Sequence, residues 1–184
     1  MLDPAQILAR TGGRELRRTV YDSEMIAARV AEMGEEIAAY YPEGEDLLLV
    51  GLLKGSFIFV ADLVRAIPRP LQVDFLVASS YGSGTASSGR VKLLYDPEAD
   101  FTDRHVLLVE DIVDSGTTIN RLVPLLRERA PRSIEMCALL HKHVAPSLEL
   151  EPRWEGFNAP NEFLIGYGLD HSEDFRNLPF IASL

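Results

Sequence analysis

One cysteine, Cys137, stands among 184 residues. No internal disulfide can form and no cysteine cage can hold a metal, so cohesion has to come from a packed core. Cys137 lies inside the apolar run 134–140. A small buried hydrophobe is expected there, because a reactive thiol needs exposure and nearby positive charge. Long hydrophobic runs are missing too: none approaches the roughly 18 residues that span a bilayer. Residues 1–18 mix Asp3, Pro4, Arg10 and Glu15 and lack the apolar stretch of a secretory signal. A cytoplasmic protein with no membrane partner is expected. Basic residues are the scarcer charge, 18 Lys and Arg against 28 Asp and Glu, a formal net charge of −10. Nucleic-acid binding needs a basic stripe to neutralise phosphates, so a nucleic-acid partner is not expected. A small phosphorylated ligand stays open, since a local pocket of donors or a bound cation reverses the sign locally. No internal repeat is present, and no G-x-x-x-x-G-K-[ST] pattern supports a P-loop hydrolase.

What is present is ordinary for a globular chain, 47% hydrophobic and 25% charged, and the length suits a single domain over 1–184. Residues 1–18 show no firm period and read as a flexible arm. A helix starts at Ser23, capped by Ser23 or Asp22, with Ile26, Val30, Met33 and Ile37 on one face, and stops before Pro42. Further helices are expected at 57–67 and 117–129, the second interrupted by Pro124. Buried strands are expected at 47–50, 71–78, 91–95, 106–109, 134–140 and 162–167. Strands alternating with helices predict right-handed βαβ units, an α/β fold with a mostly parallel sheet flanked by helices. The tail from Asp170 has no readable pattern.

The most informative stretch runs from Val106 to Thr118. An apolar strand leads straight into Glu110 and Asp111; Asp114, Ser115, Gly116, Thr117 and Thr118 follow, and then a helix begins. Ligands of open α/β sheets bind at the carboxyl ends of strands. Backbone N–H groups of 114–118 can converge on a phosphate at the helix N-terminus, with Gly116 permitting the turn. Glu110 and Asp111 cannot hold a phosphate, because like charges repel; they suit ribose hydroxyls or hydrated magnesium. A capped turn accounts for one acid and one hydroxyl. It does not account for three acids at the buried end of a strand, where each unpaired charge is costly.

This segment resembles the signature with which type I phosphoribosyltransferases bind phosphoribosyl pyrophosphate (PRPP). Four further stretches resemble, in the same order, the hypoxanthine (and guanine) phosphoribosyltransferases: Gly51-Leu52-Leu53-Lys54-Gly55-Ser56, Ser79-Ser80-Tyr81-Gly82, Phe163 to Asp170, and Phe175-Arg176-Asn177-Leu178-Pro179. The resemblance implies that family's fold, with a small hood formed by terminal segments. It also implies transfer of the 5-phosphoribosyl group from PRPP to hypoxanthine or guanine, with Mg2+ as cofactor, in a homodimer or homotetramer. Asp114 would be the general base and Ser115 to Thr118 the 5′-phosphate cradle. Lys54, Gly55 and Arg176 would face pyrophosphate, and Glu110, Asp111 and Asp170 the ribose and metal. Ser80 and Tyr81 would stand at the base of a closing loop over 79–89. Lys142, Phe163 and Ile165 would meet the purine. His141 and His143 flank Lys142 without further ligands and read as surface residues rather than a metal site. Xanthine or another base remains the alternative substrate, and an RNA-binding regulatory member of the fold the alternative function.

Overall fold

Strands that are apolar on both faces need cover on both sides, and the central sheet of the computed structural model has it. The structure describes residues 3–80 and 91–184. Six strands line up in the order β4-β3-β2-β5-β6-β7: β2 (Leu47–Leu53), β3 (Gln72–Ser80), β4 (Val91–Tyr95), β5 (His105–Val113), β6 (Ser133–His141) and β7 (Trp154–Asn158). All neighbours are parallel except β3 and β4. Helices α2 (Ser23–Tyr40) and α3 (Phe57–Ala66) share one core with Leu49, Leu107 and Val109. Helix α4 (Thr117–Arg127) covers the other face over Leu48, Val50, Val106 and Leu108. Successive residues of β5 thus feed opposite cores, as the two-residue period of a strand requires.

The order reverses between β2 and β5. From β2 the chain crosses through α3 to β3 on one side; from β5 it crosses through α4 to β6 on the other. The crevice past the carboxyl ends of β2 and β5 is therefore the topological switch point, where ligands of such sheets bind.

The terminal segments build a second layer. A three-stranded antiparallel sheet joins β1 (Arg18–Tyr21), β9 (Ile181–Ser183) and β8 (Leu164–Ile165). Its own core holds Ile165, Phe175, Leu178, Phe180 and Ala182, with Ile7 and Leu16 packed against it. This is the hood. It is braced to the main layer by the Tyr167 hydroxyl, which donates to Asp62 Oδ2 on α3 at 2.5 Å.

Several expectations differ from the structure. The sixth strand of the main sheet is β7 (Trp154–Asn158), not 162–167. Of the latter only Leu164 and Ile165 are strand, and they belong to the hood. β3 is not buried on both faces: Val73 is 42% exposed, and β4 pairs only with the end of β3 from Val77 onward. Residues 1–18 contain helix α1 (Pro4–Thr11), opened by an Asp3–Gln6 capping box and closed by Gly12 at φ 62°. Tyr81 and residues 82–90 lie outside the described residues; Ser80 ends β3.

Candidate active site

At the switch point the chain leaves β2 through a cis peptide between Leu53 and Lys54. Ser56 Oγ donates to Leu52 O at 2.6 Å and steadies the turn into α3. Gly55 is packed where no side chain fits. A Cβ there would stand 1.7 Å from Asp111 Oδ2, and a Cβ on Gly168 would meet Gly55 O at 2.1 Å. The backbone at Gly55 is thus held between the end of β5 and the hood.

Asp111 follows Glu110 at the end of β5. Burial raises the Asp111 carboxyl to about 6, against backbone N–H donors and the nearby Arg176 charge, which lower it; Asp170 adds to the rise. Burial, then the Asp111 charge, hold the Glu110 carboxyl well above its ordinary range. Glu110 Oε2 is buried with no hydrogen-bond partner among the described residues. Two acids side by side, one with an unpaired oxygen, form an arrangement that a cation or a sugar hydroxyl would relieve.

Beyond them the chain turns through Asp114 and Ser115 to Gly116, at φ 72°, and enters α4. A cavity of about 80 Å³ opens here, lined by Glu110, Asp114 and the 115–118 turn. Ser115 Oγ and Thr117 Oγ1 lie 3.0 Å apart. Lys142, just past β6, reaches across to Asp114 Oδ2 at 2.9 Å, while its backbone N–H donates to Val113 O at 3.0 Å. Only 10% of the Lys142 side chain is exposed, against 52% of Asp114. The ammonium is therefore fixed by its surroundings, and the carboxylate faces the opening.

The hood supplies the fourth wall. Arg176 Nη2 pairs with Asp170 Oδ1 at 2.8 Å and Glu173 Oε2 at 3.1 Å, and its Nη1 donates to Gly168 O at 2.8 Å. Glu173 Oε1 also holds Lys54 Nζ at 3.0 Å. Hydrogen bonds from Lys54 and then Arg176 keep the Glu173 carboxyl below its usual range.

Residues 17–172 match the family described as the phosphoribosyl transferase domain. The chain belongs to the phosphoribosyltransferase family. A hypoxanthine-guanine phosphoribosyltransferase of Mycobacterium tuberculosis is 46% identical over 175 residues, covering 92% of this chain and 87% of that one. A hypoxanthine phosphoribosyltransferase of Salmonella typhimurium is 42% identical over 160 residues, covering 86% and 90%. Among solved structures, a hypoxanthine phosphoribosyltransferase from Staphylococcus aureus superposes with a TM-score of 0.89 at 35% identity, covering 99% of this chain and 96% of that one.

In this phosphoribosyltransferase the acids of β5, the 114–118 turn, Lys54 with Gly55, Lys142, Asp170 and Arg176 surround one sheet edge. Phe163 and Ile165 stand on the hood. Phe163 is half exposed and meets the edge of His171 at 5.3 Å between ring centres, whereas the Ile165 side chain is fully buried in the hood core. Any contribution of Ile165 to a ligand would be through its backbone. The Ser80 side chain and Tyr81 lie outside the described residues.

Two features escaped the sequence reading. Glu173, between two cations, sits in a tail whose backbone has φ of 56° at Ser172, 67° at Glu173 and 73° at Phe175, a pattern with no period to read. His141 is not a surface residue. It is 3% exposed, and Glu155 of β7, the overlooked strand, joins it and His143.

Proposed function

We propose that this phosphoribosyltransferase works in purine salvage, moving the 5-phosphoribosyl group from PRPP to hypoxanthine and guanine and releasing pyrophosphate. The observation that carries this reading is the 2.9 Å pair of Lys142 and Asp114 beside the 114–118 turn. A 6-oxopurine presents O6 and N7 as neighbours on one edge. A fixed ammonium suits O6, and a carboxylate within reach of it suits the proton on N7. Adenine offers an amino donor where Lys142 also donates, which leaves buried donors facing each other.

The chemistry follows from the arrangement. As purine N9 attacks ribose C1, the bond to pyrophosphate breaks and positive charge develops on the ribose. Asp114 takes the N7 proton, so the base gains no lasting charge. Glu110 and Asp111 face the ribose hydroxyls and favour the cationic centre. The amides and hydroxyls of Ser115, Gly116, Thr117 and Thr118 hold the 5′-phosphate at the start of α4. Lys54, the Gly55 backbone and Arg176 receive pyrophosphate, with the guanidinium fork suited to two phosphate oxygens. Phe163 offers a ring face to the purine.

Carboxylate oxygens of Glu110, Asp111 and Asp170 fit magnesium, since the set is all hard oxygen and Glu110 Oε2 lacks a partner among the described residues. Held by these residues, the ion would supply positive charge against pyrophosphate oxygens. The test supplies PRPP and magnesium with hypoxanthine, guanine, xanthine or adenine in turn and identifies the nucleotide formed by chromatography. IMP and GMP are expected. AMP as the main product, or no nucleotide from any base, would overturn the assignment.

A further inference from the structure

Outside the reaction crevice, two imidazoles and a carboxylate converge at the edge of the main sheet. His141 ends β6 and Glu155 stands on the adjacent β7. Past Lys142 the chain turns at His143, φ 51°, and lays the second ring over the first, with centres 3.8 Å apart. Each ring aims a nitrogen at a different oxygen of the same carboxylate: His141 Nδ1 to Glu155 Oε1 at 2.8 Å, His143 Nε2 to Glu155 Oε2 at 3.1 Å. The three ligand atoms all lie within 4.8 Å of one another. A hydrogen-bonded clamp would need only one histidine. The second ring is brought in by a left-handed backbone at a non-glycine residue, an uncommon conformation that no glycine relieves.

We propose that His141, His143 and Glu155 form a zinc site, separate in place and chemistry from the carboxylate set at the switch point. Two imidazole nitrogens with one carboxylate oxygen make a familiar three-ligand set for zinc, which leaves a fourth position for water. Ligand atoms within 4.8 Å of one another can share one ion with bonds of about 2.0–2.1 Å once the rings and the carboxylate close on it. Magnesium is a poor occupant, because it prefers all-oxygen shells. His141 is buried and its direction is set by β6, while His143 is half exposed and leaves a path for the ion. Arg29 donates to the backbone carbonyl of Glu155 at 2.9 Å and is itself paired with Glu32 and Glu36. Its charge is thus largely answered, and the molecule as a whole carries −10. Lys142 lies between the two histidines, so an ion here would clamp the strand end that carries it.

The test strips the protein with a chelator, dialyses it against zinc in a large excess of magnesium, and counts bound zinc by mass spectrometry. One zinc per chain is expected. His143→Ala and Glu155→Gln should each weaken binding by more than about tenfold, with folding checked by circular dichroism. Asp170→Asn and His171→Ala should leave it unchanged. Cobalt should give the visible absorption of a four-coordinate nitrogen–oxygen site in the native protein and lose it in His143→Ala. A native protein that takes up no zinc, zinc displaced by magnesium, or a folded His143→Ala with native affinity would each overturn the proposal.

Discussion

At the scale of single residues, Asp114 and Lys142 differ most in burial. The lysine is enclosed, and the aspartate, bonded to it through Oδ2, is half exposed, as the proposed base has to be to meet a ligand. Asp114→Asn keeps the shape and hydrogen-bonding capacity of the turn but cannot accept the purine proton. We expect kcat to fall by about 10²–10⁴, the usual range for a lost general base, with PRPP affinity preserved because the 115–118 amides are untouched. Steady-state rates beside equilibrium PRPP binding check this, and an unchanged kcat would remove Asp114 from the mechanism. This residue was legible in the sequence because it lies in one contiguous segment with Glu110 and Asp111. Glu173 was not. Its importance comes from Lys54 and Arg176, which are 119 and 3 residues away and meet only in the folded chain.

At the scale of elements, the ends of β2 and β5 and the hood turn meet at Gly55. Gly55→Ala would drive a methyl group into the Asp111 carboxylate. The expected cost is about 1–3 kcal/mol, as for overpacking elsewhere, together with a loss of transferase activity as Asp111 is displaced. Thermal unfolding and activity measured on the same preparation test it; unchanged values for both would mean the contact is slack. Elements with long periodic or continuous apolar stretches, such as α2 and β5, could be read directly. β7 could not, since Trp154-Glu-Gly-Phe-Asn alternates weakly and Gly156 looks like a turn. Gly156 is instead required by close approach, because a Cβ would stand 2.4 Å from Leu139 O. Helix α1 carried a readable signal, Asp3 followed by Pro4 and Gln6, but too short an apolar face to support it.

At the scale of the whole molecule, burying an acid at the switch point sets the sign of a pH effect. The Asp111 carboxyl titrates at about 6 when folded against an ordinary 3.8, so the folded protein keeps a proton that the unfolded chain releases. Without magnesium, its destabilising contribution is absent below about pH 4, builds as pH rises from about 4 to 6, and is full above 6. Asp111→Asn should therefore stabilise the magnesium-free protein above pH 6, on the order of 1–3 kcal/mol, and have little effect below pH 4. Asp100, Asp103, Glu162 and Glu173 titrate low and contribute the opposite slope. The difference between native and variant urea curves isolates Asp111, and a difference independent of pH would refute it.

Read alone, the sequence determined the α/β class, the parallel sheet and the acid-rich turn after β5. Each of these is encoded in neighbouring residues, through strand and helix periods and a glycine-permitted turn. The tertiary structure decided what meets what: Glu173 between Lys54 and Arg176, Asp111 against Gly55, and Glu155 beneath two histidines. Those contacts join segments far apart along the chain, and their geometry depends on strand order and register, which no local pattern specifies.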